Sequence, residues 1–181
     1  PTEGALVVAA AKVGLHHSDL NEQEPRTGEI SFTSERRQMT TLHTTGTGAT
    51  AYSKGAADQV LGSCVNHVTF GEERPLALGD RERILGVERQ MASEGLRVLA
   101  IARKFGAAIE DAEHSMTLLG LVAMKDRTRT EAKAAVETCS AAGIVPVMIT
   151  GDHPLTASTI AREVGVLGNR RVVSGLDLDS M

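Results

Sequence analysis

The stretch Met39-Thr40-Thr41-Leu42-His43-Thr44-Thr45-Gly46-Thr47-Gly48-Ala49-Thr50-Ala51-Tyr52-Ser53 carries the fold class. Threonines and an aromatic flank a Gly/Thr tip, which reads as two antiparallel strands joined by a flexible turn. Strand character begins at Ile30, runs to His43 and resumes over Thr47 to Ser53 after Thr44-Thr45-Gly46. Before the hairpin, Thr2 to Val13 is Ala- and Val-rich and stops at Gly14, a helix pattern. His16 to Gly28 between them is polar and turn-like. After the hairpin, Gly55 to Cys64 reads as a short helix. Asp80 to Glu94 reads as a longer one, with Ile84, Val87 and Met91 on one face and Gly95 as its stop. Leu96 to Ala102 and Leu118 to Met124 are apolar runs of strand length.

The pattern changes after Lys125. Thr130 to Ala142 is a helix ending at Gly143, Val145 to Ile149 reads as a buried strand, and Pro154 to Val164 as another helix, with a short strand near Val172. Strand and helix alternate here, the signature of a parallel α/β unit. The expectation is an α+β chain, an antiparallel sheet flanked by helices over residues 1–124, then an incomplete Rossmann-like α/β piece over residues 125–181.

Composition bounds the function. At 181 residues, 41% hydrophobic and 23% charged, the chain can bury a core without disulfides or metals. No apolar run approaches the ~18 residues of a membrane span. Pro1 at the start reads as the beginning of a piece of a longer protein. Cys64 and Cys139 lack a paired spacing, which suits a reducing cytoplasm. A net charge of -4 and a pI near 5.9 argue against a general nucleic-acid binder. The six histidines show no metal-ligand spacing, and there is no Walker loop.

Three segments could carry chemistry. In Val145-Pro146-Val147-Met148-Ile149-Thr150-Gly151-Asp152-His153-Pro154, a strand would deliver Thr150 to its carboxyl end, where α/β sheets bind ligands. Thr150 could hold a phosphoryl oxygen and Asp152 could orient a water; equally, Asp152 only caps a helix and Thr150 only ends a strand. In Lys54-Gly55-Ala56, a lysine faces the positive end of a helix dipole, which favours an anion between them. The plainer reading is a solvated lysine. Phe32 and Tyr52 lie on the hairpin leading to Lys54, as adenine stacking would need, though a core role for Phe32 is the ordinary alternative. Arg97 interrupts an apolar run, which reads as a residue on the outer face of a half-buried strand. Glu35-Arg36-Arg37 reads as a solvated turn or strand face.

Taken together, these segments resemble a P-type cation-transporting ATPase of the calcium- or sodium/potassium-pump class. Five ordered matches carry the resemblance across nearly the whole chain. They are Pro1-Thr2-Glu3-Gly4-Ala5-Leu6, Phe32-Thr33-Ser34-Glu35-Arg36-Arg37-Gln38-Met39, Lys54-Gly55-Ala56, Gly95-Leu96-Arg97-Val98-Leu99-Ala100 and Met148-Ile149-Thr150-Gly151-Asp152. The last is similar in outline to haloacid-dehalogenase-like phosphotransferases.

The resemblance implies a nucleotide-binding domain over residues 1–124, truncated at its start, and part of a phosphorylation domain over residues 125–181. Phe32 would stack on adenine with Glu3 at its edge, Arg37, Lys54 and Gly55 would line the site, and Arg97 would reach the phosphates. Thr150, Gly151 and Asp152 would help seat the transferred phosphoryl group, while Asp126 and Arg129 occupy a hinge position. The implied ligands are ATP or ADP, with Mg²⁺ accompanying the nucleotide, and the implied partners are the actuator, phosphorylation and transmembrane segments of a parent pump. The location would be the cytoplasmic side of a membrane. A sheet lacking early strands would expose an edge able to pair with a second copy in a domain-swapped homodimer.

The departures from the family pattern are specific. The hinge reads Asp126-Arg127-Thr128-Arg129 where the family has two prolines, so its backbone is less constrained. The lysine motif continues Ala57-Asp58 where Pro-Glu is usual. The Asp-Lys-Thr-Gly-Thr segment with the phosphorylated aspartate and the later Gly-Asp-Gly-x-Asn-Asp loop are absent, so this stretch alone would bind nucleotide without completing a cycle. Two other classes stay open: a haloacid-dehalogenase-like phosphatase and a non-catalytic nucleotide-binding module.

Overall fold

A computed structural model describes residues 2–46, 48–125, 128–151, 154–175 and 177. The chain divides into two compact units, one of Pro1–Gly86 with Val98–Met124, the other of Val87–Arg97 with Lys125–Met181. Its architecture is α+β, with a mostly antiparallel seven-stranded sheet.

In chain order the first elements are α1 (Thr2–Ala11), α2 (His17–Gln23), β1 (Arg26–Ile30), β2 (Gln38–Thr45), β3 (Gly48–Gly55) and α3 (Ala57–Ser63). There follow β4 (Cys64–Thr69), β5 (Glu72–Pro75), α4 (Leu78–Ser93), β6 (Arg97–Phe105), β7 (Met116–Met124), α5 (Thr130–Ala141) and α6 (Pro154–Glu163). The strands lie in the order β1-β2-β3-β6-β7-β4-β5. The hairpin forms as expected: β2 pairs antiparallel with β3 from Gln38↔Gly55 to Thr45↔Gly48. β3 then pairs antiparallel with β6, and β4 with β7 in parallel.

Period-2 alternation sorts the hairpin's side chains. Thr40, Leu42, Ala51 and Ser53 are buried on one face. There they join Ala100 and Ala102 of β6, Met116 and Leu118 of β7, and Val60 and Leu61 of α3. Met116 is the largest fully buried side chain, in a core otherwise rich in alanine. Helix ends follow the glycines: Gly95, at φ +78, lets Leu96 N–H reach back to Met91 O, closing α4 in a Schellman-type cap.

The structure departs from the sequence reading in several places. The run Ile30–His43 is not one strand; residues 31–37 leave the sheet in a turn, with Arg37 at φ +49. His16–Gly28, read as a turn, contains α2 and the start of β1. Val145–Ile149, read as a buried strand, makes no ladder, and Val145, Val147 and Ile149 are exposed, Ile149 at 94%. A continuous apolar run becomes a buried strand only when neighbours supply both edges, and the described residues of the second unit contain no strand beside it.

Candidate functional site

The site is built from the open face of the β2–β3–β6 sheet. Met39 pairs with Lys54, Thr41 with Tyr52, and Lys54 with Ile101, so these side chains share the face opposite the core. With Ser53 they line a shallow pocket of about 110 Å³.

Lys54 stands at this pocket with its side chain only 24% exposed, and its Nζ lies 2.5 Å from Glu3 Oε2. Glu3 comes from the first turn of α1, where a carboxylate also complements the helix dipole. Two residues that the sequence reading assigned to one site therefore meet directly, 51 positions apart.

Gly55 lets another stretch of backbone come close. The backbone that approaches it is the chain's own: a Cβ at Gly55 would sit 2.4 Å from Arg37 O and 2.8 Å from Gln38 Cα. Ala56 N–H donates to the same Arg37 carbonyl at 2.9 Å. The absent side chain thus seats the 31–37 turn against the end of β3. Arg37 itself pairs with Asp58 Oδ2 at 2.6 Å. Partial burial raises the Asp58 carboxyl, but the hydrogen bond and charge of Arg37, with the Gln59 amide, outweigh it and hold the group below its ordinary range.

Phe32 lies in the 31–37 turn, not on a strand, with 58% of its surface exposed. Arg97 opens β6 and belongs to the second compact unit. In that unit Thr150 and Gly151 are exposed, and Arg129 precedes α5 at extended backbone angles. Asp152 and Asp126 lie outside the described residues.

Three features escaped the sequence reading. The Tyr52 hydroxyl donates to Glu24 Oε2 at 3.3 Å, and the His43 ring meets Tyr52 edge-on at 5.6 Å. Burial, then the Glu24 charge, pushes the Tyr52 phenol up, keeping it a neutral donor beside the pocket. Arg36, read as solvated, is half-buried and bonded at 2.5 Å to Glu113, 77 positions away. Only the aromatic at Tyr52 gave a signal in advance; Glu24 and Glu113 each sit among other acidic residues in polar stretches.

Among the described residues, no group of three or more His, Cys, Asp and Glu could hold a metal, and no helix is long and apolar enough to cross a membrane.

Comparison with known proteins points to one family. Residues 1–131 match the family model for the P-type ATPase cytoplasmic domain N. The "Probable cation-transporting ATPase F" of Mycobacterium tuberculosis (strain ATCC 25618 / H37Rv) is 42% identical over 97% of this chain and 20% of its own length. A "Calcium-transporting ATPase 1" of Bacillus cereus is 36% identical over 100% of this chain and 21% of its own length. A "Sodium/potassium exporting P-type ATPase" of Schizosaccharomyces pombe is 39% identical over 92% and 17%. The chain spans about a fifth of the length of these relatives. A family model covering most of the chain, with relatives across its whole length, leads to one conclusion: the chain belongs to the P-type cation-transporting ATPase family.

Proposed function

We propose that this chain binds ATP on the open face of its β2–β3 hairpin and serves as the nucleotide-presenting part of a cation pump. What supports the reading is Lys54, whose half-sheltered ammonium stands at a pocket beside Tyr52, in a chain matching the family's N domain. Residues 1–124 act as the nucleotide-binding domain and residues 125–181 as part of the phosphorylation domain. Phe32 stacks on the adenine with Glu3 at its edge, Arg37, Lys54 and Gly55 form the wall, and Arg97 serves the phosphates. A pocket of about 110 Å³ is small for a nucleotide, since enclosed ligand sites run to roughly 300–1,000 Å³. ATP therefore lies partly on the surface, and affinity falls in the range of roughly high micromolar to millimolar.

In the parent protein this unit brings the γ-phosphate of ATP to an aspartate on another segment, and the aspartyl phosphate drives cation transport across a membrane. Such transfer depends chiefly on positioning and charge. Thr150, Gly151 and Asp152 help seat the phosphoryl group, and Asp126 and Arg129 form a hinge. Partners are the actuator, phosphorylation and transmembrane segments, with this part on the cytoplasmic side. Mg²⁺ accompanies ATP as the counterion of its phosphates.

Equilibrium dialysis of ATP against the wild type and Lys54→Ala tests the proposal. Saturable uptake that weakens about tenfold in the variant supports it, a loss suited to one charge-assisted contact. Uptake indifferent to Lys54 removes it.

A further inference from the structure

We propose that Glu113 is a positioning residue of the nucleotide site, clamping the turn that carries Phe32 onto the sheet through Arg36. The inference rests on the nucleotide reading and extends it to a residue outside the pocket.

Phe32 sits in residues 31–37, which take no part in the sheet ladder. A ring on a loose turn would lose rotational freedom on stacking, so affinity depends on what fixes that turn beforehand. Arg36 is the fastening. Its Nη1 donates to Ser31 O at 2.8 Å, on the residue before Phe32, and its Nη2 donates to Glu113 Oε1 at 2.5 Å. The same carboxylate oxygen accepts from Thr40 Oγ1 at 2.7 Å. Thr40 is wholly buried and lies 2.9 Å from Ser53 Oγ, which also accepts from Gln38 Nε2 at 2.8 Å. A chain of polar contacts thus runs from the buried face of the hairpin, through Glu113 and Arg36, to the turn holding Phe32.

The groups are suited to the task. The Glu113 side chain is 20% exposed and that of Arg36 34%, so the pair is less screened than a surface one. Its hydrogen bonds are charge-assisted, and the guanidinium can serve two acceptors without moving. The other reading is that Glu113 merely satisfies Thr40 and Arg36; a double-mutant cycle separates the two.

ATP titrations are made on the wild type, Glu113→Ala, Phe32→Ala and the double variant, each with thermal unfolding and backbone NMR relaxation. Glu113→Ala is expected to weaken ATP roughly 3- to 10-fold, and to cost nothing further once Phe32 is gone. Amides of residues 32–36 gain fast motion while those of Val60, Ala51 and Ala102 keep their shifts. Glu113→Gln, which retains an acceptor for both partners, recovers most of the affinity and serves as the folded control. An equal loss with and without the Phe32 ring, or unchanged order in the turn, overturns the proposal. If the wild type takes up no ATP, the nucleotide reading itself fails. Turn order in the variants then decides whether Glu113 clamps the turn: loosening supports the clamp and unchanged order overturns it.

Discussion

The Lys54 ammonium and the Glu3 carboxylate stand 2.5 Å apart, tying the start of α1 to the open face of the sheet. The Glu3 side chain is 68% exposed, so water screens the pair heavily. Glu3→Gln should therefore shift stability by under about 1 kcal/mol, read as the midpoint of thermal unfolding. A loss well beyond that would mean that α1 depends on this pair for its attachment.

Gly55 lies directly against the backbone of the 31–37 turn. Placing a Cβ 2.4 Å from Arg37 O forces either β3 or the 31–37 turn to move. Gly55→Ala should cost about 1–3 kcal/mol in urea unfolding and shift the amide resonances of residues 33–38. A variant of wild-type stability with unmoved resonances would contradict the contact.

Phe70 presents the opposite case. It sits at φ +51 at the β4–β5 turn with 99% of its surface exposed, so it gains no burial to offset a left-handed backbone. Phe70→Asn should stabilise the chain by about 0.5–1 kcal/mol, because asparagine tolerates that conformation better. Destabilisation measured in the same urea titration would show that the ring has a partner.

The buried thiol gives a pH signature. Burial pushes Cys64 up to about 11, with the Arg81 charge pulling the other way, while the unfolded thiol ionises near 9.0. The fold favours the neutral form, so this contribution is fully present below pH 9 and is lost as pH rises through about 11. Urea midpoints between pH 8 and 11 should fall more steeply for the wild type than for Cys64→Ala. Parallel slopes would show that Cys64 does not titrate with folding.

The hairpin was legible because alternating residues around a Gly/Thr tip leave few other structures, and helix ends were legible where Gly14 and Gly95 permit a left-handed residue. The edge strands were not. Arg26–Ile30 carries two charges among its five residues, and all four residues of Glu72–Pro75 are exposed, so these strands exist through pairing and carry no apolar signal. Val145–Ile149 misled in the other direction, since apolarity marks a wish for burial that only a neighbouring strand can grant. Within the site, Lys54 stood out by its place before a helix and Glu3 only through the family resemblance, and the fold brings the two together. Glu113 could not be found this way, because nothing local distinguishes a glutamate that will meet an arginine 77 positions away.

Nucleotide binding at the hairpin is tested most directly by an ATP titration followed by amide NMR on the wild type, Phe32→Ala and Lys54→Ala. Shifts are expected to group on Met39, Thr41, Tyr52, Lys54 and the 31–37 turn, and to weaken in both variants. Shifts confined to the Thr150 region, or none in a folded sample, would contradict it.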